Sequence, residues 1–264
     1  MKNNRRNFLK NTVAAGSLGV ILPSEVFSIR SRENEIVLNE SRPKILFFDI
    51  NETILDLEPL KKSISTVLHN RAELATLWFT TMLQYSLVVT VASQYEDFGA
   101  IGVATLQMVA KNNNIEISKE KAQESVKPIL SLKPHTDVIE SLKKLKNNGY
   151  RLVSFTNSSN YAVKTQLKNA AIDSYFEEQL SIEDIGKFKP HADAYNWAAR
   201  KMNVKNNECM LIAAHGWDIA GALYAGWRGA FIGRPGQQLF SLAPNPELNE
   251  VSLLTIANKL CALK

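Results

Sequence analysis

Four separated points in the sequence carry side chains that together could run a covalent hydrolysis. Asp49 closes the apolar run "KILFFD". A carboxylate fixed at the end of a strand can act as a nucleophile, forming an ester that water later cleaves. Thr156 and Asn157 close a second run, "YRLVSFTN", with a hydroxyl, an amide and free backbone N–H groups that suit an anion. Lys189 precedes Pro190, a residue that fits the first turn of a helix. A lysine near Asp49 would keep it ionised and offset developing negative charge. Asp218 opens another helix, where the dipole favours an acid. Each residue alone has an ordinary use as a turn or cap. Four such features at successive strand ends, in this order, point to a site.

The elements that position them follow from the apolar pattern. "KILFFDI" is a short, fully apolar run, as expected of a strand buried on both faces of a parallel sheet. Similar runs occupy 150–157, 209–216 and 229–236. Helical patterns over 136–147 (closed by Gly149), 160–170, 190–202 and 218–225 separate them, and a last helix is expected over 247–263. The alternation predicts an α/β fold with a doubly wound, mainly parallel sheet, whose ligands bind outside the carboxyl ends of the strands. From Glu58 to His135 no strand pattern is found. Leu74, Leu77, Trp78, Met82 and Tyr85 recur at helical spacing instead. That interval reads as a helical insertion large enough to cover the strand ends.

In this arrangement the chain resembles the haloacid dehalogenase superfamily, with its Rossmann-like core and inserted cap. The resemblance spans about residues 44–240 and is nearest to the type II 2-haloacid dehalogenases. "LWFTTMLQYSLVVTVASQYEDFG" looks like their cap helix, "KPHADAY" like their Lys-Pro-x-x-x-x-Tyr, and "HGWDIAGALYAG" like their Asn-x-x-Asp-x-x-Gly-Ala segment. The resemblance implies Asp49 as the nucleophile on the carbon bearing a halogen, with Thr53 hydrogen-bonded to it. Thr156 and Asn157 would receive the substrate carboxylate. Lys189 and Tyr195 would set the electrostatics, and Asp218 would orient or deprotonate the hydrolytic water. His215 stands where the family has Asn and, when neutral, could hold or deprotonate that water. Phe79 stands where the dehalogenases carry an anion-binding Arg, and would line an apolar pocket.

Asn51 separates two reactions. The superfamily's phosphatases place an Asp two residues after the nucleophile to protonate a leaving alkoxide, and an amide cannot do that. They also hold magnesium with an Asp-x-x-x-Asp pair, whose first position here is Ala214. A halide needs no proton, so dehalogenation of a small 2-halogenated acid without metal or cofactor is expected. A phosphatase with atypical motifs, the one reading that would require magnesium, and a non-catalytic exported binding protein are the alternatives.

The chain has 264 residues and a formal charge of +5. Residues 1–29 carry Arg5 and Arg6 ahead of Phe8, Leu9 and Lys10, then an apolar run from Thr12 to Leu22. This is the pattern of a twin-arginine export signal. Without those residues the charge falls to +2, and no basic run remains to suggest nucleic acid. The expected organisation is an export signal over 1–29, a linker over 30–43, an α/β core over 44–57 and 136–264, and a helical cap over 58–135. The expected partners are a small anionic substrate and the twin-arginine machinery, with a periplasmic location; homodimerisation is left open. Cys209 and Cys261, the two cysteines, read as small buried hydrophobes.

Overall fold

A computed structural model describes residues 41–263. The export signal over 1–29 and the linker up to residue 40 lie outside the described residues. Six parallel strands form one sheet in the order β3-β2-β1-β4-β5-β6. They are β1 (Ile45–Phe48), β2 (Arg151–Thr156), β3 (Glu178–Ser181), β4 (Cys209–Ala213), β5 (Arg228–Ile232) and β6 (Leu248–Glu250). β1 lies between β2 and β4, with Phe47 opposite Val153 on one side and Leu211 on the other. Every residue of β1, β4 and β5 is buried, which is why these runs are apolar rather than alternating, save for Arg228 at the start of β5, which pairs with Glu247. The chain leaves β1 towards β2 and returns to β4 on the opposite side. The crevice of a doubly wound sheet therefore opens just past Phe48.

Helices fill the intervals: α1 (Glu58–Val67), α2 (Ala72–Val91), α3 (Phe98–Asn112), α4 (Lys119–Val126), α5 (Val138–Asn147), α6 (Asn160–Asn169), α7 (Ala192–Lys201), α8 (Gly216–Tyr224) and α9 (Leu253–Ala262). Their ends are set by local chemistry. Asp97, Ser118 and Ser252 accept backbone N–H bonds at the starts of α3, α4 and α9. α5 ends at Gly149, whose φ of 79° is the left-handed turn that a glycine adopts without steric cost. α1 to α4 form the helical insertion. The chain enters it at Asp56 and returns at Lys133, where the Asp56 amide donates to the Lys133 carbonyl and Leu55 bridges Pro134. Both crossings lie side by side, so the insertion hangs from one point beside the end of β1. α2 buries Leu74, Trp78 and Met82 at spacings of four, and the Trp78 indole N–H donates to the Gly102 carbonyl in α3.

Two expectations are corrected. β3 has no counterpart among the predicted runs, because its sequence EQLS is polar and short, the usual dress of an edge strand. The final helix begins at Leu253 rather than 247, since Leu248–Glu250 pairs with β5 and Ser252 caps α9. Cys209 is buried, Cys261 half-buried, and both are free thiols.

Candidate active site

The first turn beyond β1 folds back on itself. The Ile54 and Leu55 amides both donate to the Ile50 carbonyl, which brings Thr53 under Asp49. Thr53 Oγ1 donates to Asp49 Oδ2 at 2.7 Å and accepts the Ala214 amide at 2.9 Å, tying β1's end to β4's. Lys189 Nζ reaches the other carboxylate oxygen, Oδ1, at 3.1 Å. Asp49 is 5 % exposed. Burial alone would raise its pKa, but the Lys189 ammonium, then His215 and Thr53, hold it far below the usual carboxylate range. It is a buried carboxylate that stays ionised, the state a nucleophile requires.

Lys189 is wholly buried and each of its protons has an acceptor: Asp49, the Phe155 carbonyl at 2.9 Å and Asp218 Oδ2 at 2.6 Å. Burial opposes its charge, but Asp218 and then Asp49 outweigh that and raise its pKa, so it remains an ammonium ion. Asp218, in the first turn of α8, spends its second oxygen on the Tyr195 hydroxyl at 2.6 Å. Asn157 positions the lysine's backbone: its Oδ1 accepts the Lys189 amide at 2.9 Å and its Nδ2 donates to the Lys189 carbonyl at 3.3 Å. This packing leaves no slack at Gly221, where an added Cβ would stand 2.5 Å from both the Tyr195 hydroxyl and Pro190 Cβ. Gly221→Ala should therefore destabilise by about 1–3 kcal/mol through overpacking. It should also lower turnover, measurable as a drop in denaturant midpoint together with kcat.

His215 lies between two carboxylates. Its Nδ1 is 3.2 Å from Asp49 Oδ2 and its Nε2 is 3.0 Å from Glu52 Oε2. Burial would discharge the imidazole, but bonds and charges from Asp49 and Glu52 prevail and raise its pKa to about 9. The raised value makes it an imidazolium at neutral pH, the opposite of the neutral form in which it could hold or deprotonate water. Trp217 and Phe79 both stack on its ring, with centroids 5.2 and 5.9 Å away. Glu52 also accepts from Lys61 at 2.6 Å and Gln237 at 2.8 Å. It holds this place with φ at 67°, a region that costs a non-glycine residue about 1 kcal/mol or more.

Beside these groups a cavity of about 540 Å³ opens between the helical insertion and the sheet edge. Its wall is largely apolar, with Trp78, Phe79, Met82 and Phe98 on the insertion side and Asn51 and Ser158 on the core side. Asn51 is locked at both ends, donating to Ser158 Oγ at 3.0 Å and accepting from Gln166 at 2.8 Å.

A family model described as haloacid dehalogenase-like hydrolase matches residues 46–232. The chain belongs to that family. Among curated relatives of the haloacid dehalogenase-like hydrolases, it is 27% identical over 190 residues to (S)-2-haloacid dehalogenase 4A of Burkholderia cepacia, covering 72% of this chain and 82% of that protein. It is 22% identical over 201 residues to (S)-2-haloacid dehalogenase 2 of Pseudomonas sp. strain CBS-3, covering 76% and 88%. Among solved structures it superposes on L-2-haloacid dehalogenase from Xanthobacter autotrophicus with chloropropionic acid covalently bound. There the TM-score is 0.77 at 18% identity, over 84% of this chain and 99% of that one.

Within this haloacid dehalogenase-like site the predicted residues divide. Asp49, Thr53, Lys189, His215 and Asp218 form one hydrogen-bonded cluster, and Phe79 and Asn51 line the adjoining cavity. Thr156, Asn157 and Tyr195, like the five cluster residues themselves, are not on the cavity wall. The Thr156 hydroxyl accepts the Ser158 amide at 3.1 Å, Asn157 holds Lys189, and Tyr195 is fully buried against Asp218. Asp218 is likewise fully buried, with one oxygen on Lys189 and the other on the Tyr195 hydroxyl. The sequence singles out neither Glu52 nor Ser158. Glu52 occupies an unassigned place in "INET", and only the strained turn brings its carboxylate round to His215. The donors do not suit a hard cation, because the Lys189 ammonium already sits between the two carboxylates that would share one. Among the described residues no group of three or more His, Cys, Asp or Glu side chains is arranged to hold a metal.

Proposed function

We propose that this hydrolase is a dehalogenase of small 2-halogenated carboxylic acids, working through an ester on Asp49. The observation that carries the reading is the pairing of an ionised, buried Asp49 with an Asn51 whose amide is wholly engaged elsewhere. The nucleophile is ready, and the position two residues on, where the superfamily's phosphatases carry the acid that protonates an alkoxide, holds an amide. A leaving group that departs as a stable anion fits that combination. Asp49 attacks the carbon in line, the carbon–halogen pair leaves with halide, and water cleaves the resulting ester. Ser158 and Ser159, on the cavity wall where α6 begins, supply hydroxyls for the substrate carboxylate. The covalently bound acid in the Xanthobacter relative's structure supports an ester of this kind. Residues 58–135 act as a cap over the core of 44–57 and 136–264, and Arg5-Arg6 directs export through the twin-arginine route to the periplasm.

The test is halide release from a panel of 2-chloro-, 2-bromo- and 2-fluoro-acids, with and without chelator. Chelator-insensitive release is the expected result. Silence across the panel, together with magnesium-dependent turnover of a phosphate ester, would remove the proposal.

A further inference from the structure

Thr53 fixes Asp49 with its hydroxyl, and what fixes Thr53 is a side chain 181 residues further along the chain. The Thr53 carbonyl accepts two bonds from the Arg234 guanidinium, Nε at 3.3 Å and Nη2 at 3.1 Å. Arg234 stands just beyond the end of β5, and its side chain is only 10 % exposed. We infer that Arg234 is a positioning residue for the first chemical step: by holding the Thr53 carbonyl, it sets where the Thr53 hydroxyl meets Asp49 Oδ2. The inference rests on the Asp49 ester proposed above.

The guanidinium is itself anchored. Nη1 donates to Asp137 Oδ2 at 3.0 Å and Nη2 to Asp137 Oδ1 at 2.9 Å, a two-point fork on the carboxylate. Asp137 Oδ2 also accepts the Leu253 amide at 2.7 Å, where α9 begins. Burial would raise the Asp137 pKa, but the bond and charge of Arg234, then the Leu253 amide, lower it, so the pair stays ionised. Nη2 carries two hydrogens and meets two acceptors, Asp137 Oδ1 and the Thr53 carbonyl. A lysine ammonium is a point charge and cannot reproduce that planar arrangement.

The turn requires donors from outside because its own backbone cannot supply them. Glu52 has its φ at 67°, and three consecutive carbonyls of the turn face other parts of the chain. The Glu52 carbonyl meets His135 Nε2 at 2.9 Å, the Thr53 carbonyl meets Arg234, and the Ile54 carbonyl accepts the His135 amide at 3.0 Å. Of these three residues Thr53 is the one whose side chain bonds Asp49. Arg234 is not on the cavity wall, so its influence on the reaction passes through the turn and not through substrate. In the attack an Asp49 oxygen forms the bond to the substrate carbon as the halide departs with the bonding electrons. The carboxylate has to face that carbon in line. Lys189 holds its Oδ1, and Thr53 with His215 holds its Oδ2. A shift of about 1 Å in a group that must be aligned this way costs about 10²-fold in rate.

Arg234→Met and Arg234→Lys both lose the fork on the Thr53 carbonyl, and the lysine keeps a charge beside Asp137. With 2-bromopropionate as probe, halide release in the first turnover should slow by about 10- to 100-fold in each, with KM within about threefold of the unaltered value. Urea midpoints show which variants are folded, and Arg234→Lys carries the test if the methionine variant is not. A cycle with Thr53→Val separates positioning from general support of the fold. Thr53→Val should itself slow the first turnover, and adding Arg234→Lys to it should slow that turnover by no more than about twofold further. An unaltered first turnover in Arg234→Lys would overturn the inference. Losses that multiply in the double variant would overturn it as well, because Arg234 would then act by a route other than the Thr53 hydroxyl. No halide from the unaltered protein would instead bring down the dehalogenase reading, and the inference with it.

Discussion

Asp49→Asn should release no halide from any acid the unaltered protein turns over, while remaining folded. Losing a nucleophile that forms the covalent intermediate typically costs on the order of 10⁵-fold or more in turnover. The amide cannot replace it, since its nitrogen lone pair is delocalised and its oxygen carries no charge. Folding survives because neither buried cation is left alone: Lys189 keeps Asp218 and the Phe155 carbonyl, and His215 keeps Glu52. The variant carries a second signature. The raised pKa of His215 contributes stability that is present below its unfolded value near 6.5 and is lost as pH rises through about 9. With one of its two carboxylates gone, that loss should begin at lower pH in Asp49→Asn. Halide release, adduct mass and denaturation at pH 7 and 9 measure all three. Turnover within tenfold of the unaltered enzyme would show that another group attacks the carbon.

The line of strand ends was legible in the sequence because parallel strands buried on both faces leave a conspicuous apolar run with a polar residue where each stops. Asp49 and Thr156 stood out for that reason, Lys189 and Asp218 for standing at helix starts, and the cluster around Lys189 is where the topology brings three of them together. What could not be read was how each group spends its hydrogen bonds. Tyr195 and Asn157 carry the right chemistry for substrate, yet both are consumed in fixing the buried lysine and its partner. Glu52 was hidden for a different reason. Its role depends on a positive φ at a residue type that seldom adopts one, and no local pattern announces that. Protonation was also out of reach. An unpartnered histidine near physiological pH reads as a base, whereas the two carboxylates found here make it a cation in the resting site.

Lys189→Met tests the opposite side of the site, and its largest effect should be on stability. The methionine fills nearly the same volume, so little packing is lost; what disappears is the cation between two buried carboxylates. Breaking a buried ion pair from one side costs about 3–5 kcal/mol, because the remaining charge has no compensation. Here two like charges remain, one of them fully buried, and the site relieves the repulsion by taking up a proton. The sign of the pH dependence then inverts. In the unaltered protein the depressed pKa of Asp49 gives stability that is present above about 3.9 and lost as pH falls below it. In Lys189→Met the shared proton raises a carboxyl pKa above its unfolded value, so the variant should be weakest near pH 8 and recover towards pH 5. Urea midpoints at both values measure this, and an equal loss at both would contradict it. Adding Asp218→Asn should restore part of the stability at pH 8 by removing one of the two charges, a coupling that a double-mutant cycle quantifies. Turnover should stay low in that double variant, because Asp49 still lacks the Lys189 ammonium, the largest of the charges that keep it an ionised nucleophile. Stability that returns without activity would separate the lysine's two roles, as the counter-charge the fold requires and as the group that prepares Asp49 to react.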